Sequence, residues 1–283
     1  MKASLLFDAR AELGEGPFWD ARAQTLYWLD ILNKRIYAGR DLLAQLDDFI
    51  GCAAPRKDGG LILTQSASFA DLRPASATLT LRAAVSEPVH NRFNDGKCDP
   101  AGRLLAGTMD NNEQAASGAL YSYDGLHVTT LLTGIRISNG LTWSPDSKTF
   151  YYIDTPTRAV TAFDYDLASG GIANPRIVIR MPEALGWPDG MTSDTDGNLW
   201  IACWGGAQVT KWDPLTGQLL EWVPIPALQT SSCIFGGADM NELYVTSARK
   251  GLSTADLQKY PLSGGLFKVT TRVTGMPTFE FAD

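Results

Sequence analysis

The sequence predicts an all-β fold, a six-bladed β-propeller, from two observations. Six short runs of aromatic and branched residues, each following a polar turn, recur at intervals of roughly 35 to 50 residues, the range typical of solenoids and propellers. No long amphipathic helical pattern interrupts these runs, which favours strands over helical repeats. The six runs are residues 25–30, 61–64, 103–108, 149–154, 199–204 and 243–247.

Each run is predicted to belong to one four-stranded blade. In several units a further apolar run follows, at residues 119–124, 160–165, 209–213 and 265–269. Six such blades arranged radially enclose a central channel. Residues 3–7 have no unit of their own, and we expect them to close the ring by pairing with the last blade near Phe267, because this pairing protects an open sheet edge.

The chain of 283 residues is predicted to form one domain, residues 1–283. Hydrophobic residues make up 45% and charged residues 19%, the balance of a folded globular protein, and no linker or low-complexity segment marks an internal boundary. The net charge of −7 argues against a nucleic-acid partner, because phosphate binding relies on clustered Lys and Arg. No apolar run has the length of a secretory signal or a membrane span, so we expect a cytoplasmic protein with no membrane contact and no required protein partner.

Four polar residues stand at the same distance ahead of a polar turn. The turns open at Asp20, Asp99, Ser144 and Asp194, and counting back five residues from each gives Glu15, Asn94, Asn139 and Asp189. In structural repeats around an axis, such equivalent positions converge. Two carboxylates and two amides at one point form a site for a hard cation, because oxygen donors suit such ions and buried carboxylates need a counter-charge. The sequence therefore predicts a metal site on the central axis.

Other catalytic chemistries find little support in the sequence. The four cysteines are far apart and form no Cys-x-x-Cys pair, so we expect free buried thiols at Cys52, Cys98, Cys203 and Cys233. His90 and His127 are the only histidines, and there is no Gly-x-Ser-x-Gly nucleophile motif. Neither a Walker loop nor a Rossmann glycine fingerprint is present. Metal-assisted chemistry is the class that remains.

Motifs along nearly the whole chain resemble the regucalcin and gluconolactonase family, also called the senescence-marker-protein lactonases. They lie at residues 13–19, 91–103, 107–109, 137–141 and 188–191, in the order of the family, and the Arg-x-Asn-Asp-Gly-Lys segment from Arg92 is specific. The resemblance implies a six-bladed propeller that holds one divalent cation on its axis and hydrolyses sugar-acid lactones. It implies Glu15, Asn139 and Asp189 as metal ligands, Asp189 also as the general acid/base, and Arg92 and Asn94 as substrate-binding residues.

The chain departs from this family pattern at one position. Some members carry a substrate-contacting glutamate shortly after Gly-Thr-Met, whereas this chain reads Asp-Asn-Asn-Glu at residues 110–113. The position that matches by spacing is Asn112, which is therefore predicted to bind substrate. Its amide both donates and accepts hydrogen bonds, whereas an ionised carboxylate only accepts them, so the identity of the substrate stays open. It also stays open whether a neighbour of Asn112 contacts the substrate instead.

Several of these residues have a structural alternative. Asn and Asp before Gly are common turn formers, and Arg92 is a candidate for a surface salt bridge. Asp95 is an alternative to Asn94 as the inward residue because it directly precedes Gly96, although a bulge between Gly96 and Asp99 would make Asp95 structural. Tryptophans repeated once per blade usually belong to the core, which is the role expected for Trp19, Trp143 and Trp200. Trp187 and Trp204 are candidates for a sugar pocket.

The function predicted from these features is hydrolysis of a sugar-acid lactone by a metal-dependent enzyme, with a small-molecule lactone as its partner. An all-oxygen site does not select sharply among Ca²⁺, Mg²⁺ and Mn²⁺, and Zn²⁺ also uses carboxylates. One alternative is a hydrolase of other lactones or phosphotriesters on the same site, which an apolar pocket mouth would favour. The other is a calcium-binding propeller without catalysis, in which case more ligands would be expected.

Overall fold

The computed structural model describes residues 1–76 and 78–282, and these residues form an all-β protein. It contains 24 strands, a single α-helix at Thr254–Lys259, and 3-10 turns at Pro74–Ser76, Thr155–Thr157 and Glu183–Leu185. The all-β prediction is therefore confirmed. Ala77 and Asp283, which the predicted domain 1–283 includes, lie outside the described residues. Within the described ranges, no helix has the length and hydrophobicity that crossing a membrane requires.

Sixteen of the strands form four antiparallel sheets, each built from strands consecutive in the chain. The first strand, β1, is Ala3–Phe7, and it belongs to none of these four sheets. The first sheet contains β2 Gly14–Asp20, β3 Thr25–Asp30, β4 Arg35–Ala38 and β5 Asp41–Gln45, and the second contains β6 Ile50–Pro55, β7 Leu61–Gln65, β8 Ser68–Arg73 and β9 Thr78–Ala84. The third contains β10 Asn91–Cys98, β11 Leu104–Asp110, β12 Gly118–Tyr123 and β13 Val128–Ile135, and the fourth contains β14 Ser138–Trp143, β15 Thr149–Asp154, β16 Ala159–Asp166 and β17 Gly171–Arg180.

The remaining eight strands are connected in one larger sheet. Its strands are β18 Trp187–Ser193, β19 Leu199–Trp204, β20 Gln208–Asp213, β21 Gln218–Pro224, β22 Gln229–Gly236, β23 Glu242–Ala248 and β24 Leu266–Thr270, together with β1. Its two halves are β18–β21 and β22–β24 with β1. Among the described strands, the only β-pairing between the halves is that of Trp204 with Gln229. Each half has the same antiparallel order as the four smaller sheets.

The amino-terminal strand pairs with the last strand of the chain. In the antiparallel pair of β1 and β24, Leu5 lies opposite Phe267, as the sequence predicted. This pairing covers the edge of β24 that would otherwise present unpaired backbone groups. The six predicted strand runs are also confirmed, and those at residues 25–30, 149–154 and 199–204 match β3, β15 and β19 at both ends.

The first strand of each unit packs against the first strands of its two neighbours. β2 contacts β6, which contacts β10, and the series continues through β14, β18 and β22 back to β2. Trp143 and Trp200 are buried between sheets, in agreement with the role predicted for repeated tryptophans. Glu15, Asn94, Asn139 and Asp189 lie on four of these six innermost strands, so the packing of the strands determines the geometry of the site.

In two copies of the recurrent motif, the glycine is required by this close packing of innermost strands, not by a turn. Asn139-Gly140 and Asp189-Gly190 lie inside β14 and β18. A Cβ atom on Gly140 would lie 2.5 Å from the backbone oxygen of Asp189, and one on Gly190 would collide with Ser232. The interpretation of these polar residues as turn formers is therefore wrong, because their glycines allow neighbouring strands to approach one another.

Candidate active site

A cavity of about 510 Å³ opens at one end of the ring of innermost strands. Each of the four residues that the sequence placed in one register lines it, and each comes from a different sheet: Glu15 from β2, Asn94 from β10, Asn139 from β14 and Asp189 from β18. All four side chains are buried. The structure thus brings together side chains up to 174 residues apart, the separation of Glu15 and Asp189.

A β-bulge lies at each of these positions. The pairing register shifts between Glu15 and Phe18, between Phe93 and Gly96, between Asn139 and Leu141, and between Pro188 and Met191. Bulges bend a strand and redirect its side chains, and they are frequent next to active sites. The shared bulge explains why one polar residue per strand turns toward the cavity.

The bulge on β10 resolves the choice between Asn94 and Asp95. Asn94 lines the cavity, whereas Asp95 lines a separate small cavity farther along the same strand and accepts a hydrogen bond from the Gly96 N–H at 2.7 Å. The bulge expected between Gly96 and Asp99 instead lies three residues earlier, between Phe93 and Gly96. Both residues are buried, but only Asn94 is placed where the candidate site lies.

A chain of hydrogen bonds fixes the amide of Asn139. The Thr155 hydroxyl donates to the backbone oxygen of Pro188 at 2.8 Å, so its oxygen accepts from Asn139 Nδ2, also at 2.8 Å. This leaves Asn139 Oδ1 directed at Asn94, whose Nδ2 donates to it at 3.1 Å. Since a carbonyl oxygen has two lone pairs, one remains for a ligand in the cavity. Thr155 thereby also connects Asn139 to the residue preceding Asp189.

Arg92 lies beside Asn94 and retains unused donors. Its Nη1 donates to the backbone oxygen of Phe93 at 2.8 Å and to Asn94 Oδ1 at 2.7 Å. Among the described residues, its Nε has no hydrogen-bond partner, although Arg92 is only 4% exposed. Arg92 is therefore a buried residue of the cavity and not a surface salt-bridge partner. Both Asn94 amide hydrogens are used within the protein, one of them by the Ser138 backbone oxygen, which leaves only its Oδ1 for a substrate.

The two carboxylates are held in an environment that disfavours their charged forms. Burial, with the nearby charge of Asp95, raises the pKa of Glu15 to about 8, against the opposing effects of the Gly16 N–H and Arg92. Burial and the charges of Glu15 and Asp95 raise the pKa of Asp189 well above its usual range. A bound cation would offset both the repulsion between these two carboxylates and the cost of burying their charges.

The donor set at this point fits a divalent cation. Among the residues that the structure describes, no three His, Cys, Asp or Glu side chains come together as metal ligands, so any site on the axis needs an amide oxygen besides Glu15 and Asp189. Asn139 supplies one that is already oriented toward the cavity. Two carboxylates balance the charge of a divalent ion, and all three donors are hard oxygens.

The loop after β11 places Glu113 at the cavity, and Asn112 does not line it. The Asp110 carboxylate accepts hydrogen bonds from the backbone N–H groups of Asn112, Gln114 and Ala115, which curls the loop around it. Asn112 is exposed and its side chain contacts Asp110. Glu113, with a positive φ of 60°, lines the cavity and forms an ion pair with Lys250. Spacing alone selects Asn112, because the turn that brings Glu113 to the cavity is not visible in the sequence.

The sequence predicts some of the residues at the cavity mouth but not others. Trp187 and Trp204, which were candidates for a sugar pocket, both line the cavity. The Arg158 guanidinium stacks on Trp187 at 3.5 Å from the ring centroid. Thr155 and Lys250 were not predicted, since neither belongs to a repeated motif, although Thr155 directly follows the strand predicted at 149–154. All four cysteines are free and buried, as predicted.

Comparisons with known proteins agree with this geometry. A family model described as the SMP-30/Gluconolactonase/LRE-like region matches residues 13–249. The chain belongs to this family. Regucalcin from Danio rerio is 39% identical over 290 residues, which cover 99% of this chain and 98% of that protein. Membership of the family supports lactonase activity in general.

Two solved structures show that the fold is shared. A luciferin-regenerating enzyme is 31% identical and superposes with a TM-score of 0.92 over 99% of both chains. A regucalcin from Agrobacterium tumefaciens, described as a calcium-binding protein, is 28% identical, with a TM-score of 0.93 over 98% of this chain and 96% of that one. The solved neighbours are propellers of the SMP-30/gluconolactonase family, so the arrangement of sheets described above is that of the family.

Proposed function

We propose that this protein is a divalent-metal-dependent hydrolase that converts a sugar-acid lactone to the aldonic acid. The observation that carries the proposal is the pair of buried carboxylates, Glu15 and Asp189, which face one cavity beside the oriented amide oxygen of Asn139. Burying two such groups is costly unless a cation compensates them. The family to which the chain belongs supports the reaction class.

The proposal includes a single domain of six blades around one axis. The eight-stranded sheet is two blades, β18–β21 and β22–β24 with β1, since a single residue pair joins them. With the four smaller sheets they make six units whose first strands contact one another in a closed series. The metal site lies where these first strands converge, on the central axis.

Glu15, Asn139 and Asp189 are the proposed ligands of one divalent cation. When bound, such an ion supplies Lewis-acid polarisation of the lactone carbonyl and stabilises negative charge on its oxygen. The oxygen-only ligand set suits Ca²⁺, Mg²⁺ or Mn²⁺, and Zn²⁺ remains compatible with it. The Agrobacterium regucalcin is described as calcium-binding, which makes Ca²⁺ the first ion to test.

Asp189 is the proposed general base and acid. Hydrolysis requires a water molecule to lose a proton as its oxygen attacks the carbonyl carbon, and the ring C–O bond then breaks to leave an alkoxide. The Asp189 carboxylate takes this proton and returns it to the ring oxygen, so the reaction consumes one water and releases a hydroxy acid. Burial raises the pKa of Asp189, which brings its proton affinity closer to that needed near neutral pH.

Arg92, Asn94 and Glu113 are the proposed substrate-binding residues. Arg92 has five N–H donors, of which two are used by Phe93 and Asn94, and the proposed substrate contacts come from the remaining donors. Asn94 Oδ1 and the Glu113 carboxylate accept from ring hydroxyls. Asn112, predicted for this role, lies outside the cavity lining. The remaining expectations are proposals as well: a small-molecule substrate, no nucleic-acid or membrane partner, no required protein partner, and a cytoplasmic location.

The test is hydrolysis by the metal-stripped protein after addition of Ca²⁺, Mg²⁺, Mn²⁺ or Zn²⁺. Proton release is followed with a panel of aldonolactones, a lactone without hydroxyls and a phosphotriester. We expect metal-dependent turnover of aldonolactones. Metal binding without turnover of any compound would instead indicate a non-catalytic binding protein, and turnover confined to the last two compounds would indicate a different hydrolase.

Two variants separate the ligand role from the base role. Asp189→Asn keeps an oxygen donor but loses the base, so we expect a deficit of about 10²- to 10⁴-fold in kcat that added metal does not restore. Glu15→Gln is expected to regain activity as metal is added. Asp196→Asn, an exposed carboxylate at the opposite end of β18, controls for the loss of charge. Full rescue of Asp189→Asn would show that Asp189 only holds the ion, and the base would have to be sought elsewhere.

A further inference from the structure

The charged side chains that line the cavity balance one another, but the proposed divalent cation adds two positive charges to them. Three are acidic, Glu15, Glu113 and Asp189, and three are basic, Arg92, Arg136 and Lys250. Lys250 and Glu113 form an ion pair with each other across the mouth. Glu15 and Asp189 are assigned to the proposed cation, whose two charges they neutralise. The positive charges of Arg92 and Arg136 are then in excess among the groups that line the cavity, in a protein whose net charge is −7.

In the part of the chain that the structure describes, neither of these two guanidinium groups forms an ion pair or a hydrogen bond with a carboxylate, although Glu15 and Glu113 lie near Arg92. Arg92 donates to neutral oxygens and its Nε is unpartnered. Arg136 is exposed on the loop between β13 and β14, and its side chain forms no ion pair with a described residue. The Asp154 carboxylate accepts hydrogen bonds from the backbone N–H groups of Arg136 and Ile137 and so holds the loop. The charges of Asp154 and Arg136 attract each other, but the Arg136 guanidinium makes no direct contact with this carboxylate and lines the cavity.

The two groups lie at different depths, which suggests different partners. Arg92 is buried beside Asn94, close to the proposed metal ligands, where it meets the reacting end of a lactone. Arg136 is at the exposed rim, where it meets the far end. A third guanidinium, that of Arg158, lies behind the rim residue Trp187 and adds to the positive potential there. The fork of donors on Arg136 matches the two oxygens of a carboxylate.

We infer that the preferred substrates are lactones that carry a second, ionised carboxylate at the end opposite the lactone carbonyl, and that Arg136 binds this carboxylate. The inference rests on the proposed function, since it specifies the substrate class of the same site. A neutral aldonolactone ends in a hydroxymethyl group, which offers Arg136 no charge. The lactone of a dicarboxylic sugar acid provides the missing negative charge at the rim.

The test compares the five-membered-ring lactones of galactonic acid and galactaric acid, which differ only in the far carbon, hydroxymethyl in the first and carboxylate in the second. We expect the metal-loaded protein to show a kcat/KM about 10- to 100-fold higher for the anionic lactone, the range of a charge-assisted hydrogen bond. Raising the ionic strength is expected to reduce this preference. Arg136→Gln is expected to remove it by raising KM for the anionic lactone alone.

Two variants control this comparison. Arg40→Gln removes the same charge from an exposed turn outside the cavity and is expected to leave the preference unchanged. Arg136→Lys keeps the charge without the fork and is expected to retain part of the preference. Calorimetry gives a readout independent of turnover: galactarate should bind the wild-type protein about 10-fold or more tightly than galactonate, and Arg136→Gln should lose this difference.

The outcomes distinguish this inference from the proposed function. If neither lactone is hydrolysed at saturating metal, the proposed function is wrong and the inference loses its basis. If the neutral lactone is hydrolysed as well as the anionic one, the proposed function stands and the inference is overturned. A preference for the anionic lactone that persists in Arg136→Gln also overturns it, because another residue then provides the specificity.

Discussion

Removing the Thr155 hydroxyl should weaken metal binding although Thr155 is not a proposed ligand. The hydroxyl makes two hydrogen bonds of 2.8 Å, one donated to the Pro188 backbone oxygen and one accepted from Asn139 Nδ2. In Thr155→Val both partners lose this hydroxyl, and the Asn139 amide loses the bond that directs its oxygen to the cavity. Val has nearly the same shape, so the change is confined to the polar contacts.

The expected loss follows from these two bonds. A hydrogen bond within a protein contributes about 0.5–1.5 kcal/mol, so the two together correspond to about 1–3 kcal/mol. If most of this is linked to the orientation of Asn139, the metal dissociation constant rises about 10- to 100-fold, the range known for residues that orient metal ligands. The assay is calorimetric titration of the metal-free protein with Ca²⁺ and, as a second ion, Mn²⁺.

Two neighbouring substitutions make the result interpretable. Thr155→Ser keeps the hydroxyl and should bind metal within about three-fold of wild type. Thr157→Val removes a hydroxyl from the same 3-10 turn. This hydroxyl donates a hydrogen bond of 2.7 Å to the Asp154 backbone oxygen and does not contact the proposed ligands, so metal affinity should be unchanged. If Thr155→Val binds metal as tightly as wild type, the orientation of Asn139 does not depend on this hydroxyl and the reasoning is wrong.

Three further predictions concern proton linkage, substrate contact and stability. Burial raises the pKa of Glu15 from 4.5 to about 8 and that of Asp189 well above its usual range, so between about pH 4.5 and pH 8 the folded state binds more protons than the unfolded state, and the metal-free protein should lose a few kcal/mol of unfolding free energy as the pH rises through this range. For the same reason, metal binding at pH 7 should release protons. Calorimetry in buffers of different ionisation enthalpy measures this release, and equal heats in all buffers would contradict it. Glu113→Gln should raise KM for the lactone about 10-fold while Asn112→Ala changes it less than about two-fold, and the reverse order in steady-state kinetics would restore Asn112 to the site. Phe281→Ala should lower the unfolding free energy, measured by urea titration, by about 3–5 kcal/mol while kcat is retained, because Phe281 is 1% exposed and packs against Tyr123 at the end of the sheets away from the cavity. Loss of kcat in the folded variant would contradict the separation of this core from the active site.

The sequence determined the strands and the register of the site because both depend on local patterns. Alternation of aromatic and branched residues between polar turns predicts a strand wherever it occurs, which is why the run at 149–154 matches β15 at both ends. The common spacing of Glu15, Asn94, Asn139 and Asp189 ahead of their turns survives in the structure because repeats place equivalent residues at equivalent points of the sheet.

The tertiary structure decided everything that depends on contact between distant segments. Gly140 and Gly190 look like turn residues in sequence, and only the approach of neighbouring strands shows that they make room for backbone atoms. Asn112 and Glu113 are adjacent in the chain, but a loop wound around Asp110 brings only the second to the cavity.

The same reason explains the rim of the cavity. Thr155, Arg136 and Lys250 belong to no repeated motif, and their roles arise from partners or positions that the chain reaches only after folding, such as the ion pair of Lys250 with Glu113, 137 residues apart. Local spacing specifies which residue in a repeat turns inward. The charge and the hydrogen bonds that surround that residue are set by the packing of distant segments of the chain around one cavity, which no local pattern encodes.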